Sequence, residues 1–292
     1  MLPLIDKNHQ PGNHKPIEGP LSSKALFELS VFSTLLFVFA ALFMQFLLTL
    51  YTAILLNLNS IAFQYSLFRI SFLSESSSSW SVALVCFVFG SGPVILSFIG
   101  FILLFILGRI MDFGWKTKLA LTWTAFLMVN ALPCGMIAGV FFYESFGMAF
   151  QWLIGDDLVR GVIALVVLMI LIIFSRFWLR MFLKTTYASV FSDNVESQKI
   201  FIKTVFLKPW IYGIIILMLF NLQFTNFYWR VFLLSLGYLA IVLYDPRLKI
   251  FRKPHIRRSD KKIFTSRYQV IFFVVVLILI GLADNALIYF SD

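Results

Sequence analysis

Histidine, cysteine and acidic residues are scarce in this 292-residue chain: three His, two Cys, and 14 Asp and Glu together. His9, His14 and His255 all stand in polar segments, away from the long apolar runs. A zinc peptidase working inside a membrane needs a His-Glu-x-x-His helix and a further ligand. A Ser-His hydrolase needs an imidazole beside its nucleophile. Neither set can be assembled from these histidines. An aspartyl protease of the membrane interior would need two buried carboxylates, and Asp284 is the one aspartate well inside an apolar run. No Gly-x-x-x-x-Gly-Lys phosphate loop occurs, which excludes nucleotide hydrolysis by this chain alone. Cys86 and Cys134 both lie in apolar runs, where a thiol behaves as a small hydrophobe, so neither a disulfide nor a metal is expected. The sequence thus leads us to expect no catalytic residue, no metal and no cofactor.

Charge is scarce as well. Only 13% of residues are charged against 60% hydrophobic, a balance far from that of a soluble domain. Residues 1–24 are polar and carry four prolines, Pro3, Pro11, Pro16 and Pro20, without the early apolar stretch of a cleaved signal peptide. They read as an N-terminal arm, and residues 25–292 as a single transmembrane helical domain. There is no Asn-x-Ser/Thr sequon, which fits a bacterial inner membrane.

What is abundant is apolar sequence in runs of membrane-crossing length, about 20 residues each. Seven are expected, near Ala25–Leu56, Trp80–Ile110, Leu119–Tyr143, Val159–Trp178, Trp210–Phe224, Phe227–Tyr244 and Tyr268–Phe290. The first exceeds what a perpendicular crossing needs, so it should tilt or project. Gly90-Ser91-Gly92-Pro93 interrupts the second and Pro133 the third, where a kink or a break into half-helices is expected. Between spans, 57–79 and 146–157 read as non-spanning segments. Residues 179–209 read as a connection containing an amphipathic helix, around Lys199-Ile200-Phe201-Ile202-Lys203, that lies on the membrane and ends at Pro209.

Lys and Arg give an independent count. The arm, the second, fourth and sixth loops hold 21 of the 24 basic residues, leaving only Arg69, Arg160 and Arg230 for the other side. Cytoplasmic loops concentrate such residues. The expected fold is therefore an all-α polytopic transmembrane helical bundle of about seven spans, N-terminus cytoplasmic and C-terminus outside. The net charge of +10 is read as this topological signal and not as nucleic-acid binding.

Gly92-Pro93 at an apolar run, followed 37 residues after Pro93 by Asn130-Ala131-Leu132-Pro133, resembles the Gly-Pro and Asn-Leu-x-Pro elements of site-2 type membrane metalloproteases over residues 30–155. Where that family carries His-Glu-x-x-His, the first span reads Phe43-Met44-Gln45-Phe46-Leu47, and Cys134-Gly135-Met136 replaces the expected aspartate. The resemblance implies a shared helical scaffold without the metal chemistry.

Polar groups inside apolar runs are costly and need a reason. Gly92, Pro93, Asn130, Pro133, Arg230 and Asp284 are the candidate structural or cavity residues. Asn130 could satisfy backbone groups freed by Pro133, or the two breaks could face each other around a polar cavity, as discontinuous helices do in transporters. Arg230 and Asp284 sit at matching depths near the outer ends of the sixth and seventh spans, where they could pair. The expected partners are the lipid bilayer, anionic headgroups at the basic loop 247–267, and another membrane or envelope protein. Two functions follow: a non-catalytic, partner-binding or anchoring subunit of an envelope complex, or a small-solute or ion transporter or channel.

Overall fold

The computed structural model describes residues 23–68, 70–72, 80–109, 114–142, 146–184, 195–220, 271, 274–276 and 288–290. It is mostly helical. Helix α1, Ser23–Leu58, has 36 residues, about 54 Å of helix and well over the ~30 Å hydrocarbon core. It stops where the Asn59 amide donates to the Leu55 carbonyl at 2.7 Å and Ser60 turns into the left-handed region, φ 53°.

Strands β1, Phe63–Tyr65, and β2, Ile70–Phe72, follow as an antiparallel pair. The second span is helical from end to end: α2, Val82–Val85, then a π-helical turn, Cys86–Gly90, then α3, Ser91–Arg109. Ser81 caps its start, accepting from the Leu84 N–H at 3.2 Å. The Gly-Pro pair therefore does not split it into half-helices. A π turn holds one residue more than an α turn, and such bulges absorb local misfit without ending the helix.

Helix α4, Trp115–Ala138, carries Pro133 inside it, and α5 is the short Phe146–Leu153. Helix α6, Asp157–Lys184, is capped by Asp156, whose carboxylate accepts from the Val159 N–H at 3.0 Å. Helix α7, Val195–Ile202, a second π turn, Lys203–Leu207, and α8, Lys208–Phe220, form one continuous rod.

That rod corrects two expectations. The helix at Lys199 is not a separate amphipathic segment, and Pro209 does not end it: it runs on into α8, and Phe201, Thr204, Val205 and Phe206 are buried among the helices. The fifth membrane helix therefore begins well before Trp210. The all-α expectation needs a correction too, because β3, Ile288–Phe290, pairs with β1 to complete a sheet of order β2-β1-β3. The expected seventh helix cannot run to Phe290. A short run of Ile and aromatic residues suits a strand as well as a helix, and pairing with a distant loop decides between them.

Five helical stretches are long and apolar enough to cross a membrane: Leu26–Leu58, Val82–Leu107, Trp115–Ala138, Asp157–Leu179 and Lys199–Leu217. Large apolar side chains such as Phe98, Phe105, Val166 and Ile173 point outward from them, as expected of an integral membrane protein in contact with lipid. The described residues reach only Ile271 and 274–276 of the seventh apolar run before β3, and none of the sixth.

Helix α1 occupies the centre, packed on α3, α4 and α8, and α4 bridges α3 to α6. Small residues set the closeness of these contacts, as is usual where helices meet without water to drive them together. A Cβ on Gly100 of α3 would lie 2.7 Å from the Val129 nitrogen of α4. Gly135 and Gly139 in turn receive Phe146 and Gly147, which seats α5 on the end of α4.

Candidate functional site at the proline-bearing helices

Proline lacks an N–H, so the carbonyl four residues before it in a helix loses its donor. Pro209 deprives the Val205 carbonyl and Pro133 deprives that of Val129. In both cases a serine from a neighbouring helix takes over. Ser33 of α1 donates to the Val205 carbonyl at 2.6 Å, and Ser97 of α3 reaches the carbonyls of Met128 and Val129, each at 3.2 Å. Both serines are buried, where an unmet carbonyl costs most.

Ser33 is held in turn. The Trp123 indole N–H donates to its hydroxyl oxygen at 2.9 Å, making a chain from Trp123 through Ser33 to Val205 that ties α4, α1 and the second π turn together. Aromatic rings close round it: Trp123 stacks on Phe206 at 5.4 Å and meets Phe37 and Phe182 edge-on at 5.0 and 4.7 Å. With water excluded, this polar chain holds its geometry.

The polar residues expected to form a cavity are arranged differently. Gly92 and Pro93 are buried, and Gly92 faces α1, where an added Cβ would meet Tyr51 and Leu48 at 3.2 and 3.3 Å. The Tyr51 and Ser91 hydroxyls share a hydrogen bond of 3.1 Å across the same contact. Asn130 is buried, and its amide donates to the Phe126 carbonyl of its own helix at 2.6 Å. The role foreseen for Asn130, filling the gap left by Pro133, belongs to Ser97. Pro133 is half-buried. The first break thus meets α1 and the second meets Ser97. Gln45 of α1 donates to the Phe68 carbonyl at 3.1 Å and so fastens the β1–β2 connection to α1.

Arg230, Asp284, the 247–267 loop and all three histidines lie outside the described residues. Among the described residues, no three His, Cys, Asp or Glu side chains gather as a metal site would require. The sequence reading missed Ser33, Ser97 and Trp123. The available signal was a hydroxyl in one apolar run and a proline in another, but nothing in the sequence says which hydroxyl meets which proline.

No family model, no curated protein and no solved structure matches this chain.

Proposed function

We propose that this chain is a non-catalytic subunit of the bacterial inner membrane that binds or anchors another envelope protein. The observation that carries the reading is how its buried polar groups are employed. Ser33 and Ser97 serve carbonyls freed by prolines, Trp123 serves Ser33, and Gln151 donates to the Gly139 carbonyl at 2.8 Å. Groups committed to the backbone do not line a solute path, which weighs against the transporter reading. Of the five candidate membrane helices, α6 is the least buried, with apolar side chains such as Leu165, Val166, Met169 and Ile173 exposed along it.

Within this proposal the chain crosses seven times, N-terminus cytoplasmic and C-terminus outside. The partition of 21 basic residues against three supports it. The pairing of β1 with β3 supports it independently, because the chain end then lies beside the loop that follows α1. Five crossings end on that side at α8, and returning to it requires an even number more. The apolar runs 227–244 and 268–287 supply two. The scaffold resemblance to site-2 type proteases remains part of the proposal, without the metal chemistry.

Extraction in mild detergent and size-resolved mass measurement tests the function. A second envelope protein in fixed ratio is expected. A chain that arrives alone, and passes ions or small solutes once placed in sealed vesicles, would contradict the proposal.

A further inference from the structure

Helix α5 sits lower in the bundle than its place between two membrane helices suggests. An added Cβ on Gly90 of the second span would stand 3.7 Å from the Ala149 Cβ, and the Cys86 thiol donates to the Ala149 carbonyl at 3.8 Å. Cys86 and Gly90 come four and eight residues after Val82, where α2 begins. At 1.5 Å per residue, Ala149 is therefore about 6–12 Å beneath the start of that span. Helix α1 gives a similar depth. The Tyr51 and Ser91 hydroxyls are bonded, and α1 continues about 10 Å further before it stops at Leu58. On α4, Gly135 receives Phe146 three residues before that helix ends at Ala138. Helix α5 is thus wedged between the spans, below the ends of α1 and α2, and is not laid across them.

Backbone at that depth must find its partners within the protein. The turn that leaves α4 does so: the Phe141 and Phe142 N–H groups donate to the Ala138 carbonyl at 3.0 and 2.9 Å, and the Gln151 amide reaches the Gly139 carbonyl. Gly147, Ala149, Phe150 and Gln151 turn inward. Outward stand Trp152 and Leu153, 40% and 68% exposed, and the adjoining turns add Phe141 and Leu158, 65% and 75% exposed. Such a patch is unusual on a surface that meets only water. It is continuous with the apolar face of α6, where Val162, Leu165 and Val166 follow Leu158 along the helix.

We propose that α5 is a re-entrant interfacial helix: Trp152 and Leu153, with Leu158 at the start of α6, enter the lipid leaflet that surrounds the end of α4. An indole, apolar with one polar N–H, suits the boundary between headgroups and acyl chains. An amphipathic helix buries its apolar side about 5–10 Å into that boundary. Asp156 and Asp157, both exposed, then lie among the headgroups. The depth of α5 against α1 and α2, and the continuity of its exposed side with α6, carry the assignment. It depends neither on which way the chain is oriented in the membrane nor on a protein partner.

The test uses full-length protein with Cys86→Ala and Cys134→Ala, given one new cysteine at a time, spin-labelled there and reconstituted in phosphatidylcholine vesicles. Leu153→Cys is read against Val166→Cys on the exposed side of α6 and Ser23→Cys at the exposed start of α1. Collision with oxygen, which dissolves in acyl chains, is compared with collision with a water-soluble nickel chelate. The oxygen-to-nickel ratio at 153 should lie roughly tenfold above that at 23 and approach that at 166, as entry past the headgroups implies. A ratio no higher than at 23 would place α5 in water and overturn the proposal. Exclusion of both reagents would mean that protein covers the patch and would overturn it too. A second measurement needs no substitution: a phospholipid carrying a photoactivated carbene precursor in its acyl chain, mixed into vesicles of the unmodified protein, should label Trp152 or Leu153 as well as α6. Adducts on α6 with none on α5 would overturn the assignment whatever the cysteine variants do.

Discussion

At the scale of residues, Ser33 answers a chemical deficit that Pro209 creates. Substituting Ser33→Ala leaves the Val205 carbonyl and the Trp123 N–H without their partners, at a cost of about 1–3 kcal/mol by soluble-protein measures, or nearer ~0.6 kcal/mol by membrane-protein cycles. Pro209→Ala returns an N–H to the helix and gives Val205 a donor of its own. The cost of Ser33→Ala should therefore shrink in the Pro209→Ala background. Thermal unfolding in detergent of wild type, both single variants and the double variant reads that coupling directly. An equal cost in both backgrounds would dissolve the serine–proline pairing. Prolines were legible in the sequence and their partners were not. Apolar runs here hold several buried hydroxyls, including Ser30, Ser33, Thr34, Thr49 and Ser97, and tertiary approach alone selects among them. Asn130 drew notice because an amide is rarer in such runs, yet it bonds within its own helix.

At the scale of elements, the apolar runs announced most of the helices, and the errors came where a local rule met a tertiary exception. Pro209 read as a terminator because proline normally ends a helix. A preceding π turn and a borrowed hydroxyl let the rod continue. The amphipathic pattern around Lys199 read as a surface helix, although α7 packs against α6 and the π turn that continues it packs against α1, with Phe201 buried and Lys199 and Lys203 exposed. The sheet was illegible for a different reason: β1 and β3 are separated by more than two hundred residues, and three-residue strands leave little periodicity to detect. Their register places Gln64 opposite Tyr289. In a background lacking Cys86 and Cys134, the pair Gln64→Cys and Tyr289→Cys should form a disulfide on mild oxidation, because paired Cα atoms across antiparallel strands lie about 4.5–5.5 Å apart. Gln64→Cys with Ser23→Cys, at the opposite end of α1 from the sheet, should not. Failure of the first pair to cross-link would remove β3 from the sheet, and with it the structural support for the position of the chain end.

At the scale of the whole molecule, composition already fixed the solvent, since few charges and recurring 20-residue apolar runs exclude a water-filled surround. The five helices long and apolar enough to cross a membrane agree with that reading. Orientation links the remaining proposals. As proposed, it would put the three-stranded sheet outside and the exposed α6 face within the bilayer. Reporter fusions made in cells after Lys118 and after Asp292 measure it most directly. The account requires cytoplasmic activity after Lys118 and extracytoplasmic activity after Asp292. Cytoplasmic activity at both positions would contradict the seven-span arrangement and the place given to the sheet.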